Sequence, residues 1–503
     1  MRECGMLLPV ASLPSRYGIG AFSKEAYEFV DTLKKAGQGY WQILPLGPTG
    51  FGDSPYQSFS AFAGNPYFID LERLTQEGLL TKEECEAADF GDDPRNIDYA
   101  KVYEGRFTLL YKAYDRFKAQ LDGKGAGAVH ALAETALGDE TREYCFYMAV
   151  KNHFRSESFE QWDEDIRLRR PEALSRYREC LSDEIGFYEF QQLKFEQQWE
   201  RLKKYANERG IKIIGDIPIY VAYDGADSWA HPELFQLDAN RRRKAVAGCP
   251  PDGFSATGQV WGNPLYDWPY HEKTGYAWWI KRMEYCFKLY DVVRVDHFRG
   301  FDEYYSIPSG EDTAASGHWE KGPGAAVFQA MRERFHKEKL PIIAEDLGFL
   351  TPSVKELLEE TGFPGMKILQ FAFDSREESN YLPHSYTKNS VVYTGTHDND
   401  TIVGWYLAMD PADREFSREY MGNERTPLRE IHWDFVRMAL ASVSDLAVIP
   451  VQDYLGLGHD ARINAPSTLG ANWRFRLLPG EFTDELAEKC RRLAVIYERC
   501  PAG

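Results

Sequence analysis

Eight short apolar runs, each closing on polar or glycine residues, constrain this chain more than any other feature. They span residues 6–13, 40–46, 211–221, 291–296, 341–346, 366–373, 391–398 and 446–452. Near-continuous hydrophobicity over so few residues fits strands buried on both faces, as in a parallel sheet. Helical patterns separate several of them, at 26–36, 188–209, 276–290, 325–337, 353–361 and 431–442. In the second of these, Phe195, Gln198, Trp199 and Leu202 recur at helix spacing, and Thr351-Pro352 supplies a start signal for the fifth. The alternation predicts an α/β fold, a (β/α)8 TIM barrel with large, mostly helical insertions and loops over the C-terminal rim. A doubly wound open sheet would alternate in the same way and stays open on this pattern.

The runs are unevenly spaced. Residues 1–503 read as one barrel carrying two insertions. The gap between Leu46 and Ile211 is too long for a loop. Its segments 81–88 and 102–120 are rich in charged and helix-forming residues, so 67–209 reads as mostly helical. The second insertion, 220–276, reads as a hairpin and loop near the active site. Asp238-Ala239-Asn240 is a turn signal between 234–237 and 244–247. An irregular stretch follows, from Pro250-Pro251-Asp252-Gly253 to Trp261-Gly262-Asn263-Pro264. The basic run 241–244 reads as a solvated hairpin edge.

Composition narrows the partners. Hydrophobic residues at 43% supply a core, and disorder is not expected. A net charge of -19 repels nucleic acid and anionic membrane but leaves neutral sugars unpenalised. The 14% aromatic content exceeds what a core alone needs and can line a sugar-binding cleft. None of the 8 cysteines forms a C-x-x-C pair, so neither a zinc site nor a redox dithiol is expected. No apolar stretch is long enough to span a membrane, and 1–14 lacks a signal-peptide layout. With dispersed cysteines, that points to the cytoplasm.

Four of the runs end in acids: Gly215-Asp216, Arg294-Val295-Asp296-His297, Glu345-Asp346 and His397-Asp398. In a barrel, the C-terminal strand ends form the rim where catalytic groups sit. Any one such acid could simply cap the next helix. Several on one rim, beside Arg294 and His397, form a cluster with a task, since charges at apolar strand ends are costly to desolvate. Two carboxylates flanking a bond, one protonated and one ionised, can cleave a glycoside. Residues i and i+2 of a strand share a face, so Arg294 and Asp296 should both point into the barrel mouth. There the guanidinium would favour an ionised Asp296. A divalent metal held by Asp296, His297, Glu345, His397 and Asp398 is the competing reading. Arg294 opposes it, and no H-x-H or H-E-x-x-H pattern is present. There is no G-x-S-x-G and no Walker A motif, so neither a serine triad nor nucleotide chemistry is expected.

With these residues in view, the chain resembles the amylomaltase or disproportionating-enzyme family, the 4-α-glucanotransferases of glycoside hydrolase family 77. The likeness runs over nearly the whole length. It is carried by Leu13-Pro14-Ser15, Trp41-Gln42-Ile43-Leu44-Pro45-Leu46, Ser54-Pro55-Tyr56-Gln57-Ser58 and Gly215-Asp216-Ile217-Pro218. Further along stand Pro250-Pro251-Asp252-Gly253-Phe254, Gly258-Gln259-Val260-Trp261-Gly262-Asn263-Pro264 and Arg294-Val295-Asp296-His297-Phe298-Arg299-Gly300. Ala344-Glu345-Asp346-Leu347-Gly348, Thr396-His397-Asp398-Asn399 and Asn464-Ala465-Pro466 complete the set. Each motif is weak alone; in this order they are specific.

The resemblance implies a retaining mechanism on an α-amylase-clan barrel. Asp296 would be the nucleophile, Glu345 the general acid/base and Asp398 the transition-state stabiliser. Arg294 would keep Asp296 ionised and His397 would hydrogen-bond the same sugar. Ser54, Tyr56, Asp216, Asp374 and Asn464 would line sugar subsites, with Tyr56 as a stacking platform. Gln259 and Trp261 would arch over the cleft. The implied partners are an α-1,4-glucan donor and a glucose or malto-oligosaccharide acceptor, with no cofactor and no metal. No nucleic acid, membrane or obligate protein partner is expected. An α-amylase-like hydrolase with the same carboxylates is the alternative activity, and a non-catalytic glucan-binding protein is a third reading that the intact carboxylate set opposes.

Overall fold

The apolar runs become strands, but shorter ones than their lengths predict. The computed structural model describes residues 2–121, 125–251, 257–348, 351–376, 379–423, 425–468 and 470–501. Its twelve strands, in chain order, are β1 Glu3–Leu7, β2 Tyr40–Gln42, β3 Lys212–Pro218, β4 Ala245–Cys249, β5 Gln259–Pro264, β6 Val292–Asp296, β7 Glu303–Pro308, β8 His318–Lys321, β9 Ile342–Ala344, β10 Gly365–Ile368, β11 Ser390–Tyr393 and β12 Leu446–Pro450. Eight of them, in the order β10-β11-β12-β1-β2-β3-β6-β9, form one all-parallel sheet. The seam between β9 and β10 is drawn together by Ala344 N–H donating to Pro364 O at 3.0 Å. Asp346 adds a side-chain bond across it, accepting from Met366 N–H at 2.6 Å. A nearly closed barrel results, and the open-sheet reading is excluded.

Strand alternation separates two cores. Leu7, Ile214, Ile343, Met366, Tyr393 and Val448 pack together inside the barrel. Met6, Ile213, Val293, Val295, Ala344 and Ile449 face outward against the helices. On β6 this leaves Val292, Arg294 and Asp296 on the inner face, as the i, i+2 spacing predicts. Gly215 stands where any Cβ would lie 2.2 Å from the Tyr290 ring, so close packing of that ring against β3 requires a glycine. The expected barrel helices are present as Lys24–Lys35, Ser182–Glu208, Ala277–Leu289, Ala326–Phe335, Pro352–Thr361 and Ile431–Ala441. The fifth begins with Pro352 in its first turn after Thr351.

Between Leu71 and Ser182 the described residues are mostly helical, with Tyr99–Gln120, Gly125–Ala136 and Asp139–His153 as the longest elements. The 27-residue helix Ser182–Glu208 belongs to both regions. At 1.5 Å per residue it is about 40 Å long. It packs against Gly125–Ala136 and Asp139–His153 and also against Lys24–Lys35 and β3.

The segment 220–276 departs from its reading as one hairpin plus irregular loop. The turn at 238–240 is there, with Lys244 N–H donating to Gln236 O and a bridge between Leu237 and Arg243. The chain then continues into β4 and β5, which join β7 and β8 in a four-stranded antiparallel sheet, order β5-β4-β7-β8. Sequence periodicity could not reveal this, because β7 and β8 lie beyond the segment, after β6. Asp252, Gly253 and Phe254, part of the family motif, lie outside the described residues.

Candidate active site

The rim of the barrel opens into a cleft of about 990 Å³. Of the sequence-predicted residues, Ser54, Tyr56, Gln259, Trp261, Arg294, Asp296, Glu345, His397, Asp398 and Asn464 all line it. Asp216 lies just beneath, fully buried. Asp374 is not among the described lining residues; Arg376 binds its carboxylate with Nε and Nη2, each at 2.7 Å. Among the described residues, no three His, Cys, Asp or Glu side chains are gathered to hold a metal ion.

Arg294 organises the floor. Its side chain is 3% exposed. Nη1 donates to Asp216 Oδ1 and Oδ2 at 2.8 and 2.7 Å, and Nη2 donates to Asp296 Oδ1 at 3.0 Å. The cation bonded to Asp216 and Asp296 is therefore a fixed guanidinium, which suits planar, multiply bonded contacts with carboxylates better than an ammonium would. Asp216 also accepts from the Tyr56 hydroxyl at 2.7 Å. Arg294 is bonded to Asp296, and further charges act on the same carboxyl. Burial pushes the Asp296 carboxyl above its ordinary value, Arg294 pulls it back, and the negative Asp216 and Asp398 push it up again. Asp216 takes up much of the guanidinium's influence.

Glu345 stands one residue beyond β9, in the same cleft, and among the described residues no cation is bonded to it. Its Oε2 accepts from His297 N–H at 2.7 Å and its Oε1 from Leu347 N–H at 2.8 Å. These two bonds fix the carboxyl plane. Burial and the charge of Asp296 nevertheless raise its pKa to about 7, outweighing Arg294 and both backbone donors. Two carboxyls in one cleft thus have different environments: Asp296 is bonded to a guanidinium, whereas Glu345 is held by neutral backbone donors.

Asp398 lies on the far side of the cleft, five residues past β11. Burial would raise its pKa, but His397 and the Asn464 amide outweigh burial and lower it to about 2. His397 Nε2 lies 3.3 Å from Oδ2, and Asn464 Nδ2 donates to Oδ1 at 2.6 Å. The His397 ring itself stacks on Tyr56, with centroids 5.1 Å apart at 17°. Trp261 Nε1 donates to Gln259 Oε1 at 3.0 Å, and its ring meets His297 edge-on at 4.8 Å.

The structure adds residues that sequence reasoning passed over. Arg462 donates to the Asp398 carbonyl and the Asn464 carbonyl, both at 2.7 Å, and so sets the backbone that carries both side chains. Its place two residues before Asn464 was the available signal. Trp473 lines the cleft and packs against Tyr56 and His397 at 5.8 and 6.0 Å. A tryptophan in a polar loop rich in Gly and Asn was the signal there. His297 and Trp473 adopt φ of 54° and 66°. A left-handed backbone costs an L-residue with a Cβ about 1–2 kcal/mol, and strain of this kind concentrates at functional sites. At His297 the reason is visible, since the turn aims its N–H at Glu345.

Comparison with known proteins fits this geometry. Residues 8–481 match the model of the 4-alpha-glucanotransferase family. The 4-alpha-glucanotransferase of Streptococcus pneumoniae is 49% identical over 502 residues, covering 99% of this chain and 97% of that one. That of Thermus thermophilus is 44% identical over 503 residues, covering 99% of each. Among solved structures, amylomaltase from Streptococcus agalactiae in complex with acarbose superposes with a TM-score of 0.95 at 40% identity, covering 99% of this chain and all of that one. Amylomaltase from Corynebacterium glutamicum, at 20% identity and a TM-score of 0.74, covers 99% of this chain and 75% of that one and shares the fold.

Fold, rim and relatives define a glycosyl-transferring enzyme built on a (β/α)8 barrel. The chain belongs to the 4-alpha-glucanotransferase family, and its activity is that of an amylomaltase. No helix among the described residues is long and apolar enough to cross a membrane.

Proposed function

We propose that this enzyme transfers α-1,4-glucan segments between malto-oligosaccharides by a retaining double displacement on Asp296 and Glu345. The observation that carries this reading is the charge division between the two: a guanidinium on Asp296 and a pKa of about 7 on Glu345. In the first step an Asp296 oxygen attacks the anomeric carbon of the donor. The bond from that carbon to the leaving O4 breaks, and the Glu345 proton goes to O4. In the second step the 4-OH of an acceptor glucan gives its proton to Glu345 and attacks the same carbon, releasing Asp296. Each step inverts, so the α-configuration is retained. Asp398, held ionised by His397 and Asn464, faces the positive charge that develops on the donor ring.

Transfer must outcompete water for the covalent intermediate. A bound and oriented acceptor does so through effective molarity, and exclusion of water helps. The edge formed by β5, with Gln259 and Trp261 in the cleft wall beside His297, supports a role in both. Incubation with maltotriose tests the reading. A transferase forms glucose and longer oligomers with little net gain in reducing ends; a steady rise in reducing ends would instead identify the hydrolase.

A further inference from the structure

We propose that Trp473 is a specificity-determining residue, the wall for the second glucose of the donor, and that the helical insertion serves the reaction by holding it in place. This rests on the functional reading above and goes beyond it.

The direction of the donor follows from barrel order. Glu345 follows β9, whose neighbours are β6 and, across the seam, β10. Trp473 packs on Tyr56, which follows β2, and on His397, which follows β11, and its backbone N–H donates to Ile463 O at 2.7 Å in the chain after β12. The β12–β1–β2 sector lies across the barrel mouth from β9. A sugar attached to Asp296 through C1 has its leaving oxygen at Glu345. Its C4 lies at the opposite end of the ring and points away from Glu345. In an α-1,4-glucan the rest of the retained chain hangs from that C4. It therefore runs toward Trp473, whereas Trp261, against His297, stands on the Glu345 side. Among the described residues the cleft has one tryptophan for each half of its substrate, and an indole face matches the apolar C–H face of a glucose.

The helical insertion reaches this point through its segment before Tyr99. Tyr99 Oη donates to the Trp473 carbonyl at 2.8 Å. Ile97 N–H donates to Arg474 O at 2.8 Å, and Arg474 Nε donates to Ile97 O at 2.9 Å. Arg476 N–H donates to Arg95 O at 2.8 Å. Residues 95–99 thus run along 473–476 as a short antiparallel splint. The splint holds Trp473 at its φ of 66°.

Two activated donors test this, α-glucosyl fluoride, which fills only the site at Asp296, and α-maltosyl fluoride, which adds one sugar beyond it. Fluoride release is followed with glucose as acceptor. In Trp473→Ala the ratio of kcat/KM for maltosyl over glucosyl fluoride should fall about tenfold. Tyr99→Phe should lower the same ratio by a smaller factor through KM, with kcat kept. An unchanged ratio in Trp473→Ala, or an equal fall for both donors, would overturn the proposal. Should that variant not fold, Trp473→Leu decides by the same ratio, and no change in it is again fatal. Wild-type enzyme that released fluoride from neither donor would overturn the functional reading and this proposal with it. That failure shows before any substitution is made.

Discussion

Arg294 binds Asp216 more fully than it binds Asp296: both oxygens of Asp216 lie within 2.8 Å of Nη1, while Nη2 reaches a single oxygen of Asp296 at 3.0 Å. With side chains 3% and 0% exposed, Arg294 and Asp216 form a buried ion pair whose partners depend on each other. Asp216→Asn leaves a buried guanidinium half-compensated and frees the Tyr56 hydroxyl. Removing one partner of such a pair costs about 3–5 kcal/mol. The variant should lose stability of that order in chemical denaturation. Its kcat should fall roughly a hundredfold, because the Asp296 carboxylate loses its fixed orientation.

Glu345→Gln separates the two steps. A fluoride leaving group needs little protonation, so Asp296 can still be glycosylated, but the deacylation-like second step has no base. Incubation with α-glucosyl fluoride should build up a covalent glucosyl group on Asp296, visible as a mass increase on its peptide. Turnover of maltotriose should fall about a thousandfold or more. A normal maltotriose rate would remove Glu345 from its role.

The pH profile carries the charge division. Glu345 has its pKa raised from 4.5 to about 7, and its protonated form starts the reaction, so kcat/KM for maltotriose should decline as pH rises through about 7. With α-glucosyl fluoride as donor that alkaline limb should flatten. Asp296 must be ionised and its pKa is raised above 3.8, so the acid limb should lie above the range of an ordinary aspartate. Linkage has the matching sign: the folded state binds the Glu345 proton more tightly than the unfolded chain does. Its contribution to stability therefore diminishes as pH climbs from about 4.5 to about 7. Stability measured against pH in wild type and Glu345→Gln should differ in slope across that window.

Trp261 tests the shielding of the intermediate. Trp261→Ala opens the wall beside His297, where its ring contacts the imidazole at 4.8 Å. Reducing ends released per glucose formed from maltotriose should rise several-fold, about threefold or more, while transfer slows. If the ratio of hydrolysis to transfer stays at the wild-type level, water is excluded by other means.

Much of the site could be read before any fold was known. Strand-end placement singled out Asp296, Glu345 and Asp398, and the i, i+2 rule turned Arg294 toward Asp296, because both depend only on local backbone geometry. Family likeness added Asn464, Tyr56 and Trp261, which the structure brings to one cleft. It also added Asp374, which the structure leaves beside Arg376.

The sequence by itself determined the eight barrel strands, the helices between them and which acids end at the rim, since burial and periodicity are written residue by residue. Only the tertiary structure decided how charge is shared. Asp216 comes from β3, 78 positions from Arg294, yet takes two of its hydrogen bonds. Glu345 owes its raised pKa to burial and to the charge of Asp296, which the fold sets in the same cleft. Trp473 and Tyr99 are 374 residues apart in the chain, and no pattern links them. Hydrogen bonds and desolvation depend on distance in space, and barrel closure, not sequence spacing, sets those distances.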